Sequence, residues 1–320
     1  MKPRPGDTSG GPGAPHPSRG HDSADVLTAA ITTGKNMIDC DQAIDIFRQA
    51  AALNREDSLL HGSLLEFPNY GQLVMTGDLH GHRRNFEKLQ RYCDLEQFGP
   101  RHIILHEIIH EEVASFSDSD NSHKLLLDAA RWKCDFPDQV HFLLSNHELA
   151  QITGHEISKN GRIVTRAFED AVRDAYGKRG DEVNKAIREF IQTYPLAGRT
   201  PNRVFLSHSL PAPREVAGFD ETVLSRALTK EDFQPTSSAH ALVWGRHQSE
   251  SALQTMCEVL DVDFFICGHQ PQESGYEVMY DRQIILASEH NHGMFLTLDL
   301  SKPVTIESLT NHIRPIAALA

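Results

Sequence analysis

Side chains that bind divalent metals recur directly after five short apolar segments. These positions read Gly77-Asp78-Leu79-His80-Gly81, His106-Glu107, Ser145-Asn146-His147-Glu148, Ser207-His208 and Gly268-His269-Gln270. Carboxylate, carboxamide and imidazole groups suit hard-to-borderline cations, and the lack of thiolates argues against a structural zinc site of the cysteine type. Because ligands bind at the carboxyl ends of strands in open α/β sheets, we expect these groups to meet at one edge.

Each motif also has a simpler interpretation. Asp78-x-His80 could be a polar turn, Asn146 could be the N-cap of a helix, and a histidine after a strand is commonly a hydrogen-bonded loop residue. His106-Glu107-Ile108-Ile109-His110 also matches the HExxH motif of zinc proteases, which requires both histidines on one helix face. That interpretation leaves the other four segments unexplained, so a shared metal site is favoured.

The spacing of apolar residues predicts the elements that position these groups. Short apolar runs predict strands at 73–75, 103–105, 140–144, 204–206, 264–267, 276–279, 283–287, 294–298 and 304–306. Three- and four-residue spacing predicts helices near 24–64, 86–92, 125–132, 164–175, 183–191 and 253–260. Strands that alternate with helices, followed by a strand-rich end, predict an α/β (α+β) sandwich of mixed β-sheets flanked by helices.

Three regions follow along the chain. Residues 1–23 are rich in Gly, Pro and Ser, which predicts a disordered tail. We expect N-terminal helices in residues 24–70 and the main domain in residues 71–310, with a helical insert at about 155–195.

Composition restricts the partners and the compartment. The 320 residues carry 44 acidic against 31 basic side chains, a net charge of −13, which argues against a nucleic-acid partner. The five cysteines form no CxxC pair, so we expect no disulfide framework and a reducing compartment. The sequence has no signal-peptide pattern and no apolar run of about 18 residues, so we predict a cytoplasmic protein without a membrane partner.

The motifs together resemble the calcineurin-like metallophosphoesterases, and most closely the phosphoprotein phosphatases of the serine/threonine type. GDLHG at 77–81, SNHE at 145–148, His208 in LSHS and His269 in CGHQ correspond to successive family motifs. The GHQP form and the following Gly275-Tyr276-Glu277 favour the phosphatase branch. The resemblance covers about residues 73–300 and implies the four-layer metallophosphoesterase fold, with two mixed sheets flanked by helices.

The second motif departs from the family pattern. Where the family has Gly-Asp-x-x-Asp-Arg, this chain has HEIIHE at 106–111. Glu107 would replace the bridging aspartate, His110 the aspartate that orients the catalytic histidine, and Glu111 the arginine that clamps the phosphate. Arg246 lies where the phosphatases also place a phosphate-contacting arginine, while Arg83 and Arg84 are weaker candidates.

The resemblance implies two divalent metal ions, with Mn, Fe and Zn all compatible with the ligands. The first would be bound by Asp78, His80 and Glu107, and the second by Glu107, Asn146, His208 and His269. A hydroxide shared by the two metals would attack phosphorus, and His147 would protonate the leaving group as the general acid. Either His110 or Glu111 would orient His147, and we favour Glu111. Asn146, His290 and His292 would also contact the substrate.

Three functions are compatible with this site. The favoured one is metal-dependent hydrolysis of a phosphomonoester, on phosphoserine or phosphothreonine in a protein or on a small phosphate ester. The second is hydrolysis of dinucleoside polyphosphates. The third is a metal-bound protein of low activity that binds phosphorylated ligands, and the presence of all the other ligands weighs against it.

Overall fold

The computed structural model describes residues 39–113, 115, 118–159 and 161–320. The predicted tail at 1–23 and the predicted helical residues 24–38 lie outside this described part. Residues Asp39–Ala320 form one compact unit, which includes the insert.

Two mixed β-sheets pack face to face and are flanked by helices. The helices are α1 Cys40–Arg55, α2 Arg83–Cys93, α3 Ser122–Asp135, α4 Asn146–Thr153, α5 Val164–Tyr176, α6 Gly180–Ile191, α7 Ser238–Trp244, α8 Glu250–Leu260 and α9 Ile306–Asn311. The strands are β1 Leu60–His61, β2 Leu64–Glu66, β3 Gln72–Asp78, β4 Arg101–His106, β5 Val140–Phe142, β6 Ser158–Lys159, β7 Arg162–Ile163, β8 Ala197–Arg199, β9 Val204–Ser207, β10 Phe264–Cys267, β11 Tyr276–Met279, β12 Gln283–Leu286, β13 Met294–Asp299 and β14 Ile313–Pro315. Short 3₁₀ helices cover Gly177–Arg179, Val216–Gly218, Glu221–Ser225, Glu231–Phe233 and Ile316–Ala318.

The strand order brings the predicted site strands side by side. One sheet has the order β14-β13-β3-β4-β5, and the other β1-β2-β8-β9-β10-β12-β11. Strands β3, β4 and β5 are parallel, as are β9 and β10, so in each group the carboxyl ends lie at the same edge. A bridge between Asp78 and Ala287 connects the two sheets at this edge.

The core lies between the sheets and is built by the apolar runs of the sequence. Met75 and Ile104 of the first sheet pack in one buried cluster with Leu206, Ile266 and Ile284 of the second. Both faces of these strands are covered, so they appear in the sequence as continuous apolar runs and not as alternating patterns. The predicted α/β sandwich of mixed sheets is confirmed.

The insert packs on the helices that flank the first sheet. Helix α6 contacts α1, α4 and α5, and α1 also contacts α3. Phe47 of α1 and Phe190 of α6 pack with their ring centroids 5.8 Å apart. None of the described helices is both long and apolar enough to cross a membrane.

Some local predictions were wrong. Residues 60–66 form β1 and β2 and not a helix, because Leu64 and Leu65 pair with β8 and are buried. Residues 304–306 form no strand, because Thr305 caps α9 in a capping box with Ser308. The N-cap of α4 is Ser145, whose hydroxyl accepts from the Glu148 N–H, and not Asn146. Short elements such as α7 and β8 carried no recognisable pattern.

Candidate metal centre

The site side chains lie at the carboxyl ends of β3, β4, β5, β9 and β10 or in the residues that directly follow these strands. Four of them, His80, Glu107, His110 and His269, have backbone φ angles of 40°, 36°, 64° and 72°. Non-glycine residues seldom adopt these left-handed conformations, and such residues concentrate at functional sites. The turns after the strands thus aim these side chains at a common point.

Glu107 lies at the centre of the cluster. Its Oε2 is 3.4 Å from His80 Nε2, and its Oε1 is 3.7 Å from His208 Nε2. The same Oε1 accepts the Ser145 hydroxyl at 2.9 Å and the His147 backbone N–H at 3.2 Å. The longer glutamate side chain therefore still reaches both halves of the site, as a bridging carboxylate must.

The other predicted ligands surround this carboxylate. Asn146 Oδ1 lies 2.7 Å from His208 Nε2 and 2.9 Å from His269 Nδ1. Asp78 Oδ2 accepts the backbone N–H of His269 at 2.8 Å, and Asp78 Oδ1 lies 3.6 Å from His208 Nδ1. The structure thus brings together six predicted ligands that are far apart in the sequence.

Several donor atoms at the centre are buried and have no hydrogen-bond partner. They are Asp78 Oδ1, His208 Nδ1, His269 Nε2 and both ring nitrogens of His106. Buried polar atoms are normally paired, so a cluster of unpaired carboxylate and imidazole donors is the expected signature of a site for a cation. The residues present therefore fit the divalent metals that the sequence implies.

The ligand set that the resemblance implies leaves out His106, although the sequence pattern places it among the metal-binding side chains that follow strands. Its donor atoms group with those of Asp78 and His208, while His80, Glu107 and His147 form a second group. In each group the donor atoms lie within 4.8 Å of one another. His106 is the last residue of β4, where the other site residues also begin, but the family motif has a glycine at this position and so suggests no ligand there.

Burial and charge set the protonation of the centre. Burial, together with the charge of Glu107, raises the pKa of Asp78 well above its usual value. Although burial alone would raise it, the pKa of Glu107 is held well below its usual value by the imidazoles of His208, His147 and His80. Burial lowers the pKa of His269 to about 4, so this ring is neutral at pH 7 and has the form that binds metals.

A chain of hydrogen bonds lies behind His147. His147 Nδ1 is 2.7 Å from His110 Nδ1, and His110 Nε2 is 2.9 Å from Gln151 Oε1. Gln151 Nε2 donates to Glu169 Oε1 at 3.4 Å, which leaves the amide oxygen for His110. Neutral His110 therefore donates to Gln151 and accepts the Nδ1 proton of His147, so that Nε2 of His147 is free for the substrate.

Glu111 does not occupy the position that we favoured for it. Its carboxylate accepts the backbone N–H of Asn121 at 2.8 Å, and its own N–H donates to Asp120. The group behind His147 is His110, because the turn after β4 points Glu111 toward the start of α3. The HExxH interpretation was also wrong, because His106 ends a strand and no helix joins it to His110.

The predicted substrate-binding residues have different contacts. Arg246 Nη1 donates to the His269 carbonyl at 3.1 Å, which places a cation beside the ligands. His290 Nε2 bonds to the Gln272 carbonyl at 2.8 Å, and the His292 N–H donates to His290 Nδ1, so both rings belong to the loop between β12 and β13. Arg83 instead pairs with Asp128 at 2.9 Å.

Comparison with known proteins agrees with this geometry. Residues 72–273 match the family described as calcineurin-like phosphoesterase. A serine/threonine-protein phosphatase of Caenorhabditis elegans is 24% identical over 237 residues. The match covers 70% of this chain but only 48% of that protein, so the chain spans about half the length of its curated relative.

Solved structures share the fold at low sequence identity. A protein serine/threonine phosphatase from Saccharomyces cerevisiae, with similarity to the human phosphatase PP5, superposes with a TM-score of 0.63 at 12% identity. That match covers 87% of this chain and 93% of the yeast chain. A cold-active protein-tyrosine phosphatase of a psychrophilic Shewanella superposes with a TM-score of 0.55 at 12% identity, over 83% of this chain and 84% of the other.

Proposed function

The chain belongs to the calcineurin-like phosphoesterase family, and from this premise we propose that it is a metal-dependent phosphomonoester hydrolase. The position of Glu107 carries the proposal, because one carboxylate lies between His80 on one side and His208 on the other. A carboxylate in this position can join two cation sites, and two-metal centres serve phosphoester hydrolysis throughout biology.

The donors divide into two sets around Glu107. Asp78 and His80 would bind one cation, and Asn146, His208 and His269 would bind the other. Two divalent cations, when bound, would supply Lewis acidity and would neutralise the charge that develops on the phosphoryl oxygens.

The remaining side chains act on the substrate and on protons. Arg246, next to His269, would pair with a phosphoryl oxygen and replace the cation lost at Glu111. His147 would present Nε2 to the leaving oxygen, with its other nitrogen fixed by His110. Asn146 would contact the substrate as well as the metal, and His290 and His292 would contact the part of the substrate that projects over the rim.

The substrate is proposed to be a phosphoserine or phosphothreonine residue of a protein, as the names of two relatives suggest. Hydrolysis of a dinucleoside polyphosphate is the alternative from the sequence. A cleft of about 270 Å³ beside the centre supports a further candidate, phosphotyrosine. Trp244 lines this cleft with His240 stacked on it, and its ring centroid is 6.3 Å from that of His269. An aryl leaving group would fit against these rings.

Activity with and without metal tests the proposed function. The purified chain should hydrolyse p-nitrophenyl phosphate with Mn²⁺ and lose this activity on chelation. Glu107→Gln should reduce kcat by at least about 100-fold, because it removes the charge between the two donor sets. Glu112→Gln is the matched control, since Glu112 is exposed and pairs with Lys159 at the surface. Equal activity of the two variants would contradict the proposal.

Substrate class is tested by kcat/KM on matched peptides. Phosphothreonine, phosphoserine and phosphotyrosine peptides of one sequence should be compared with a dinucleoside polyphosphate. A higher kcat/KM on the phosphothreonine and phosphoserine peptides supports a serine/threonine phosphatase. A higher kcat/KM on the phosphotyrosine peptide supports binding of an aryl group in the cleft beside Trp244. Stoichiometric binding of a phosphopeptide without turnover would favour the ligand-binding alternative.

A further inference from the structure

We infer that His106 is an additional ligand of the metal beside Asp78, and that it makes this centre richer in imidazole nitrogen than the family resemblance implies. The inference rests on the proposed metal-dependent function. It concerns the first residue of the divergent HEIIHE motif, where the family pattern has glycine. A glycine has no side chain to offer, so the role of His106 is specific to this chain's own sequence.

The first observation is the unpaired state of the His106 ring. His106 ends β4 and is fully buried, and neither Nδ1 nor Nε2 makes a hydrogen bond of good geometry, the Thr76 backbone being only a weak partner. A neutral imidazole carries one donor and one acceptor, so at least the acceptor nitrogen is unused. Other buried histidines of the described chain bond through at least one nitrogen, as His102 does to His141 at 3.1 Å. An apolar side chain at this buried position would stabilise the fold more than an imidazole without good hydrogen bonds.

The second observation is what the ring faces. A His106 donor atom lies within 4.8 Å of donors on Asp78 and His208, and those three residues form one group. The His106 and His208 rings meet edge to face with centroids 5.4 Å apart. Asp78 Oδ1 and His208 Nδ1 are also buried and unpaired. A cation bound to Asp78 Oδ1 therefore has the ring of His106 close by, while His208 keeps Nε2 on the side of Asn146, where the other cation would bind.

The third observation is the space left by Gly268. A Cβ on Gly268 would lie 2.2 Å from Asp78 Oδ1 and 3.4 Å from His106 Nδ1. A side chain at position 268 would therefore collide with the Asp78 carboxylate as it is placed here, beside the His106 ring. The CGHQ motif supplies His269, and its glycine leaves room for Asp78.

An extra imidazole has a consequence for the choice of metal. Oxygen-rich sites suit Mg²⁺ and Mn²⁺, whereas added nitrogen ligands favour Co²⁺, Zn²⁺ and related ions. The site beside Asp78 should therefore bind Co²⁺ and Zn²⁺ more tightly than an equivalent site without His106.

The test is direct metal binding to the full chain, without any substrate. Calorimetric titration with Co²⁺ gives the number of sites and their affinities, and the visible absorption of bound Co²⁺ reports its ligands. His106→Phe keeps an aromatic ring but removes both nitrogens. It should weaken one of two Co²⁺ equivalents at least about tenfold and change the absorption spectrum, as expected for loss of one protein ligand. His102→Phe, at the other end of β4, is the matched control and should bind both equivalents as the unaltered chain does.

Distinct outcomes separate this inference from the proposed function. If the unaltered chain binds no Co²⁺, both fail. If it binds two equivalents and His106→Phe binds them with unchanged affinity and spectrum, only the role of His106 is overturned. Anomalous diffraction from Co²⁺-loaded crystals of the unaltered chain gives the answer even if His106→Phe does not fold. A His106 nitrogen within about 2.3 Å of cobalt supports the inference, and one beyond about 3.5 Å overturns it.

Discussion

The side chain of His147 is oriented by a second imidazole, that of His110, whereas the family motif has an aspartate at the position of His110. The two Nδ1 atoms are 2.7 Å apart, and burial lowers the pKa of His110 to about 4. His110 is thus neutral and fixes the tautomer of His147, but it adds no negative charge to stabilise the protonated ring. Burial also lowers the pKa of His147 well below its usual value. A weakly basic, well-oriented histidine is a strong acid once protonated, which suits the protonation of a poor leaving group.

His110→Ala should therefore impair hydrolysis in a way that depends on the leaving group. Alkoxide leaving groups need a proton, whereas p-nitrophenolate does not, so kcat should fall at least about tenfold more for an alkyl phosphate than for p-nitrophenyl phosphate. Glu111→Gln is the control, because Glu111 contacts Asn121 and not His147. Steady-state kinetics of both variants on both substrates measure the effect. Equal losses on the two substrates would remove His110 from the proton transfer.

His110→Asp should move the pH dependence of the reaction. A carboxylate behind His147 stabilises the protonated ring and raises its pKa. A general acid loses activity as the pH rises through its pKa, so the basic limb of the kcat profile should move to higher pH, by about one unit or more. The profile on an alkyl phosphate checks this, with the unaltered chain as reference. A shift to lower pH would show that another group acts as the acid.

At the scale of elements, the insert supports helix α4, which carries His147 in its first turn. Glu169 of α5 accepts from Gln151 of α4 at 3.4 Å and from Arg188 of α6 at 3.1 Å. Gln151 in turn bonds to His110, so two helices that lie outside the family motifs fix the orientation of the residue behind His147. The insert also buries Phe168 and Phe190 completely, so it packs against the domain and does not project as a separate module.

A buried charge cluster fixes the other end of the first sheet. Lys133 of α3 donates to Asp57 at 3.0 Å, and His141 of β5 lies 2.9 Å from the same carboxylate oxygen. Lys133→Met should lower the free energy of unfolding by about 3 kcal/mol, because it leaves the buried Asp57 carboxylate without its cation. Urea unfolding measures this. The control Lys302→Met removes an exposed partner of Asp299 and should leave the unfolding midpoint unchanged. Equal midpoints for both variants would contradict a stabilising role for the buried pair.

At the scale of the whole molecule, the sequence predicts the structure best where burial restricts the choice of residues most. Buried strands are apolar and polar side chains follow them, so the convergence of Asp78, Asn146 and His208 was predicted from their positions in the sequence. His106 was left out of the predicted ligand set because the family pattern has a glycine at that position. Glu111 was misplaced because a carboxylate is the better partner for a protonated histidine, whereas the direction of a side chain depends on the turn that carries it. Short elements such as α7 leave too few residues for a period to be recognised.

A buried histidine outside the metal centre makes the stability of the folded chain depend on pH in acid. His123 of α3 packs against Phe168 and Tyr176, and burial lowers its pKa to about 4 from 6.5. Between pH 6.5 and 4 the unfolded chain binds a proton at this ring that the folded chain does not, so the stability that His123 contributes falls as the pH falls.

Replacing the ring isolates this contribution. The free energy of unfolding of the unaltered chain minus that of His123→Gln should decrease by as much as about 3 kcal/mol from pH 7 to pH 4, since a glutamine does not titrate. Urea unfolding of chelator-treated protein at several pH values measures the difference. A difference for His123→Gln that is constant from pH 7 to pH 4 would show that the folded chain accepts the proton as readily as the unfolded one.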